Sequence, residues 1–133
     1  MTITAHLHRA DGSLTSLNNG RHAWSADIAN SLGGGDLAPD PHDLLDSALA
    51  ACTLLTLELY IRRKQLAVSA LRVDIEHVEG KGEDGRSLYR LQRKLHVEGE
   101  LSDAERQRLV EIAGKCPIHR ILEGEVQIET ELT

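Results

Sequence analysis

Residues 41–65, PHDLLDSALAACTLLTLELYIRRKQ, decide the fold of this chain. The segment follows Asp40, a residue type that caps helices, and begins with Pro41, which suits the first helical position. It ends in the cations of residues 62–64, which favour a helix C-terminus. Apolar residues recur between these ends at helical spacing and predict one helix from about 41 to 65. Because its first half is apolar over a wide arc, we expect this helix to be buried in the centre of the fold.

Runs of alternating apolar residues flank the helix in sequence and predict β-strands. Three short strands before it are joined by the turns Asp11-Gly12 and Asn18-Asn19-Gly20, which predicts an antiparallel meander. Two long strands after it are joined by a Gly-rich turn, and one more strand ends the chain. The predicted strands lie at about residues 2–9, 14–17, 22–28, 71–75, 89–97 and 125–132.

Two further helices are predicted near the C-terminus. A capping box at residues 102–105 opens a helix that ends at Gly114. Cys116-Pro117 then starts a short helix through about Leu122. The element order is βββ-α-ββ-αα-β, which is typical of an α+β fold with two antiparallel sheet portions. A length of 133 residues fits a single domain over residues 1–133.

The loop before the first helix, residues 29–40, contains three consecutive glycines. No Lys-Ser/Thr pair follows them, so the pattern does not indicate a phosphate-binding loop. We interpret the segment as a flexible loop that packs close to other backbone.

Composition excludes several classes of function. The net charge is −6, whereas nucleic-acid-binding proteins usually carry a basic patch, so we expect no nucleic-acid partner. The helical segment carries Asp46 and Glu58 and is followed by three basic residues, so we do not expect it to span a membrane. The polar N-terminal residues lack an apolar run typical of a signal peptide. With two cysteines and no export signal, we expect reduced thiols and a cytoplasmic location.

The two cysteines lie in different settings. Cys52 lies within the apolar helix, where a single cysteine is most often a small hydrophobic residue. Cys116 is predicted at the N-cap of a helix begun by Pro117, where unpaired N–H groups and the helix dipole favour a thiolate. Lys115, His119 and Arg120 add positive charge nearby. The fold could bring both thiols together as one redox pair.

Two motifs carry a resemblance to a known family. Residues 41–53, PHDLLDSALAACT, resemble the central-helix signature of the OsmC/Ohr family of osmotically inducible and organic hydroperoxide resistance proteins, in its OsmC-like branch. Residues 116–122, CPIHRIL, resemble the second cysteine motif of that family. The Gly-rich loop and the Arg-Arg-Lys at the helix end fit the same pattern.

The resemblance implies a fold and an activity. The implied fold is an intertwined α+β homodimer of two six-stranded subunits wrapped around buried central helices, with active sites at the subunit interface. The implied activity is reduction of organic hydroperoxides by thiols, with no metal or organic cofactor. By position, Cys52 matches the peroxidatic cysteine and Cys116 the resolving one. An external dithiol, in the family a dihydrolipoyl group, would reduce the resulting disulfide.

The sequence departs from the family where the thiol is activated. The peroxidase branch uses an Arg from the N-terminal strands, held by a Glu at the start of the central helix. His42 occupies the position of that Glu, and Asp43 is the nearest acid. Arg9 and Arg21 are both candidates for the Arg, with Arg9 favoured by counting strands. Arg93, in phase with apolar neighbours on its strand, is a third cation.

Two other functions remain open. The same fold could form a non-catalytic dimer that binds a small apolar ligand, with structural or redox-sensing thiols. His22, His42 and His119 could instead join the two cysteines in a zinc site, although only Cys116 and His119 have a usual ligand spacing.

Overall fold

The computed structural model describes residues 1–133 and contains five strands and three α-helices in the order βββ-α-ββ-αα. The α+β prediction is confirmed. Contacts divide the chain into two units, residues 1–47 and 48–133. The elements are β1 Thr4–Leu7, β2 Thr15–Asn18, β3 Ala23–Ala26, α1 Pro41–Lys64, β4 Val68–Lys81, β5 Ser87–Gly99, α2 Asp103–Ala113 and α3 Pro117–Glu123.

The first unit contains the predicted meander. Strands β1, β2 and β3 are antiparallel neighbours in one sheet, and Leu17 on β2 lies opposite Trp24 on β3. The side-chain oxygen of Asn19 accepts the backbone N–H groups of Arg21 and His22 at 2.9 and 2.8 Å. This is the local Asn chemistry that closes turns, so the prediction of a turn here is confirmed.

A buried carboxylate organises the loop after β3. Asp27 accepts hydrogen bonds from the Ser13 hydroxyl and from the backbone N–H groups of Ile28 and Leu37. The Ser13 hydrogen bond, followed by those of the backbone, lowers the pKa of Asp27 against the opposing effect of burial. At Gly34 a Cβ atom would lie 2.2 Å from the Ile28 carbonyl oxygen. The predicted close approach of this loop to other backbone is therefore confirmed.

Helix α1 begins where the sequence predicts. The Asp40 carboxylate accepts the Asp43 N–H at 2.8 Å, and the Asp43 carboxylate accepts the Asp40 N–H at 3.2 Å. These two bonds satisfy backbone donors that a helix start leaves unpaired. By length and composition alone, α1 is apolar enough to cross a membrane, a test that core helices of soluble proteins also pass.

The prediction that α1 is buried in the centre of the fold holds for only one face of the helix in the single chain. Its buried side chains form one stripe at every fourth position, Leu49, Thr53, Leu57 and Ile61. Leu55 and Leu59 are 64% and 65% exposed. A stripe of one residue per turn is what one packed layer covers, and the opposite face of the helix has no layer over it.

The second unit packs α2 against the end of α1. Leu57 and Ile61 form a core cluster with Leu109, Ile112 and Ala113. The predicted capping box opens α2, with the Ser102 hydroxyl and the Glu105 carboxylate each accepting the backbone N–H of the other residue. Strands β4 and β5 form a long antiparallel hairpin in which Ile75 lies opposite Arg93.

The predicted last strand is wrong. Residues 125–133 adopt no regular structure, and Val126, Ile128 and Leu132 are 60%, 85% and 102% exposed. Alternation of apolar and polar residues predicts a strand only if a sheet edge and an apolar surface are there to receive it. Within its own chain this segment pairs with neither sheet.

Candidate active site around two thiols

Cys52 lies on α1, one residue before the buried stripe member Thr53, and is half-buried. The Thr56 hydroxyl, one turn further on, lies 3.9 Å from the Cys52 sulfur. The sequence expectation of a buried thiol is therefore only partly met, because the thiol lies at the edge of the packed face. A cysteine that is only half-buried fits the partial exposure typical of reactive cysteines.

Cys116 occupies the N-cap of α3, as predicted. Pro117 follows at the first helical position, and the Cys116 sulfur accepts the backbone N–H of His119 at 3.3 Å. The side chain is fully buried. The sulfur therefore replaces the hydroxyl or carboxylate that usually caps a helix.

The two thiols lie close enough for each to change the pKa of the other. Burial acts to raise the pKa of Cys52, but hydrogen bonds from the Cys116 thiol, the Ile118 backbone N–H and Thr56, with the charge of Arg93, lower it below its ordinary value. The Ile118 N–H belongs to the first turn of α3. The orphan donors of this helix start thus favour a thiolate at Cys52.

The prediction that the helix start favours a thiolate at Cys116 itself is wrong. Burial, and then the hydrogen bond that its thiol donates to Cys52, raise the pKa of Cys116, and the N–H groups of His119 and Ile118 do not offset them. A thiol that donates its proton to a neighbouring sulfur must keep that proton. The acidity predicted for one cysteine is found on the other.

A chain of hydrogen bonds runs beside the thiols. The Thr53 hydroxyl donates to the Leu49 carbonyl at 2.7 Å and accepts from the Arg93 guanidinium at 3.1 Å. The other arm of Arg93 lies 3.0 Å from Nδ1 of His119, whose Nε2 lies 2.5 Å from the Glu123 carboxylate. Sequence reasoning singled out Arg93 by its inward phase but gave no role to Thr53 or Glu123.

A cavity of about 200 Å³ opens beside this chain. Its apolar wall is formed by Leu49, Leu91 and Leu122, and Arg93 and His119 line it together with Glu123 and Tyr89. An apolar cleft with a few converging polar groups is typical of small-ligand sites.

The other four predicted site residues lie in the first unit and are exposed. Arg9 begins a 3-10 turn after β1, and Arg21 follows the turn glycine before β3, so neither lies on a strand. His42 and Asp43 lie in the first turn of α1, where the Asp43 carboxylate caps the helix. Their roles at the thiol stay predictions.

The zinc alternative lacks a ligand set. No group of three or more His, Cys, Asp or Glu side chains in residues 1–133 is placed to hold a metal ion. Within the second unit, the Nδ1 atom of His119 faces the Arg93 guanidinium. A nitrogen that accepts from a cation is not available as a metal ligand, so this alternative loses its support.

Comparisons with known proteins give a consistent result. A family profile described as OsmC-like protein matches residues 33–131. An OsmC-like protein from Mycoplasma pneumoniae has a similar structure, with a TM-score of 0.78 and 22% identity over 92% of this chain and 86% of that one. A comparison with curated protein sequences finds no match.

Two other similar structures carry the name organic hydroperoxide resistance protein. The Legionella pneumophila protein has a TM-score of 0.69 and 19% identity over 93% of this chain and 90% of that one. OhrB from Bacillus subtilis has a TM-score of 0.66 and 21% identity over 99% of this chain and 96% of that one. At these identities the likeness shows a shared fold.

Proposed function

Because the chain belongs to the OsmC-like protein family, we propose that it is a thiol-dependent peroxidase that reduces organic hydroperoxides to alcohols in oxidative stress defence. The observation that carries the proposal is a pair of neighbouring free thiols, of which Cys52 has a lowered pKa and Cys116 a raised one. A peroxidatic thiolate beside a protonated resolving thiol needs this inequality. The names of two structural neighbours support the substrate class.

The first step oxidises Cys52. Its thiolate attacks one oxygen of the hydroperoxide, so that a sulfur–oxygen bond forms and the oxygen–oxygen bond breaks. The departing alkoxide takes up a proton and leaves as the alcohol. The peroxide is reduced by two electrons, and the sulfur becomes a sulfenic acid.

The second step uses Cys116. Its sulfur attacks the sulfenic sulfur, a disulfide forms, and the hydroxyl group leaves as water with the thiol proton of Cys116. The influence of each thiol on the pKa of the other supports this step, because it requires the two side chains to be neighbours. An external dithiol then reduces the disulfide by exchange and is itself oxidised to a disulfide.

Neither thiol lines the cavity, but Arg93 does, and we expect the cavity to hold the organic group of a hydroperoxide and so to favour it over hydrogen peroxide. Its three leucines offer an apolar wall, and its volume of about 200 Å³ is small for a ligand pocket. Pockets for whole ligands usually measure roughly 300–1,000 Å³. A short alkyl group, or one end of a longer chain, fits that size.

A homodimer is the proposed assembly, and the cytoplasm the proposed location. Leu55 and Leu59 on α1 are exposed, as are the apolar residues of the segment 125–132. Apolar surface left on a single chain favours association with a second copy. The free state of both cysteines suits a reducing compartment.

The test is consumption of tert-butyl or cumene hydroperoxide with dihydrolipoamide as the dithiol, alongside counting of free thiols. We expect turnover, loss of both thiols on oxidant alone, and their return with dithiol. Cys52→Ser should abolish turnover, because a hydroxyl does not ionise at neutral pH. Retained turnover in that variant would sink the mechanism.

A second function is favoured by the same cavity. If the thiols survive hydroperoxide and turnover is absent, the alternative of a non-catalytic dimer that binds a small apolar ligand gains support. In that case Cys52→Ser should leave binding of an apolar fluorescent probe unchanged, since the cavity wall consists of other residues.

A further inference from the structure

Arg93 is a cation in an apolar position. On β5 it alternates with Leu91 and Leu95 on the half-buried face, whereas its neighbours Gln92 and Lys94 are exposed. A guanidinium stays charged in proteins and can only donate hydrogen bonds. Burying such a charge is costly unless its donors find acceptors. A charge kept at an inward position therefore calls for a reason beyond packing.

The partners of Arg93 are fixed in direction. The Thr53 hydroxyl donates its proton to the Leu49 carbonyl, and its oxygen accepts a hydrogen bond from Arg93. Since Arg93 only donates, Nδ1 of His119 must accept and must be unprotonated. The proton of the neutral ring is then on Nε2, where it is donated to Glu123. Two nitrogens of the guanidinium, one on each arm, thus have an acceptor.

These contacts place the held cation close to the reactive thiol. Thr53 adjoins Cys52 in the chain, and His119 donates its backbone N–H to the Cys116 sulfur. The burial of Cys52 opposes its ionisation, and the charge of Arg93 is one of the influences that favour it. Arg93 also lines the cavity. Arg93 thus lines the proposed substrate cavity and also acts on the Cys52 thiol, and the residues concerned lie within one unit of the chain.

We propose that Arg93 is the cation that stabilises the Cys52 thiolate, and that His119 and Glu123 are positioning residues that hold its guanidinium. The assignment rests on the proposed peroxidase function and differs from the family pattern, in which this Arg comes from the N-terminal strands. It also accounts for the departure at His42, because a cation held by His119 and Glu123 does not need a Glu at the start of α1.

The test measures ionisation of Cys52 without any hydroperoxide. All variants carry Cys116→Ser, so that iodoacetamide alkylates Cys52 alone, and the rate is followed against pH. Arg93→Met should move the midpoint of the profile upward and slow alkylation at neutral pH about tenfold, since an opposite charge nearby lowers a thiol pKa. Arg93→Lys keeps the positive charge but not the two-armed guanidinium group. It should restore most of the alkylation rate that Arg93→Met loses. Arg90→Met, on the exposed face of the same strand, is the matched control and should leave the profile unchanged.

The positioning role is tested by a double-mutant cycle. His119→Phe removes the acceptor of Arg93 and should shift the midpoint in the same direction, by a smaller factor. In the Arg93→Met background the same change should add little, because both substitutions act through one cation. A full additional shift there would overturn the positioning role. Glu123→Gln, which keeps an acceptor for Nε2–H, provides a milder variant should His119→Phe not fold.

The outcomes separate this inference from the proposed function. An unchanged profile in folded Arg93→Met overturns the assignment, and the result is decisive if Arg9→Met or Arg21→Met produces the shift instead. A shifted profile in a protein that does not consume hydroperoxide supports the Arg93 assignment and contradicts the peroxidase. Turnover of hydroperoxide combined with an unchanged Arg93→Met profile supports the peroxidase and contradicts the Arg93 assignment.

Discussion

The middle of α1 and the start of α3 each carry one cysteine, and the two settings act on their thiols in opposite directions. Cys116 has the position that usually acidifies a thiol, a helix N-cap, yet its pKa is raised. Cys52 lies on a largely apolar helix, and its pKa is lowered. The N-cap position alone therefore does not acidify Cys116, because burial and the interaction with Cys52 outweigh the N–H groups of α3.

Because each thiol changes the pKa of the other, the two form one titrating pair. The first proton to leave belongs to Cys52, because its thiolate accepts from Cys116 and from the Ile118 N–H. The second is harder to remove, because it would place two negative sulfurs side by side. The pair is thereby divided into a nucleophile and a proton-bearing partner, which is the division of labour that a sulfenic acid–disulfide cycle requires.

The largest expected effect comes from breaking this division with single serine variants. With one equivalent of cumene hydroperoxide, Cys116→Ser should accumulate a sulfenic acid at Cys52, because the nucleophile remains and the resolving thiol is absent. Cys52→Ser should form none, and its rate of hydroperoxide consumption should fall roughly a thousandfold. Mass spectrometry after trapping with a 1,3-diketone reads both outcomes. A sulfenic acid found on Cys116 would reverse the assignment of roles.

An intermediate effect is expected when only the donor of the shared bond is changed. Cys116→Ala removes the thiol proton that Cys52 accepts, so the pKa of Cys52 should rise and its alkylation at neutral pH should slow about tenfold. Cys116→Ser keeps an O–H donor and should slow it less. Because the folded-state pKa of Cys52 is lowered, the wild-type rate should persist to lower pH than that of an ordinary thiol. Equal pH profiles of alkylation for Cys116→Ala and Cys116→Ser would show that burial, and not a hydrogen bond from residue 116, sets the difference in pKa between the two thiols.

Local signals in the sequence predicted the elements that hold the site. Asp40 and Pro41 mark the start of α1, and Cys116 and Pro117 mark the start of α3, because capping depends on residues within one turn. The acidity of the thiols could not be predicted in this way. It depends on which sulfur receives the Ile118 N–H and the Cys116 proton, and this is settled by the packing of two helices that are distant in sequence.

The same limit explains the errors in the fold. Two sequence patterns predict burial, the alternation in residues 125–132 and the apolar arc of α1. Neither pattern indicates which surface the apolar residues pack against. In the single chain both segments keep apolar side chains exposed to solvent, for example Ile128 and Leu55. A homodimer would supply such a surface, so these two errors support the proposed assembly.

The smallest effect is expected at the Thr56 hydroxyl, which makes the weakest of the hydrogen-bonding contacts with the Cys52 sulfur. The Thr56 hydroxyl lies 3.9 Å from the Cys52 sulfur, a long approach for a hydrogen bond to sulfur. Thr56→Val keeps the shape of the side chain and removes only the hydroxyl, so alkylation of Cys52 at neutral pH should slow about twofold. The alkylation rate of Thr56→Val should be well above the rate of Cys116→Ala in the same assay. If Thr56→Val instead slows alkylation as much as Cys116→Ala does, the acidity of Cys52 arises within α1 itself, and the contrast between the two helices is not its cause.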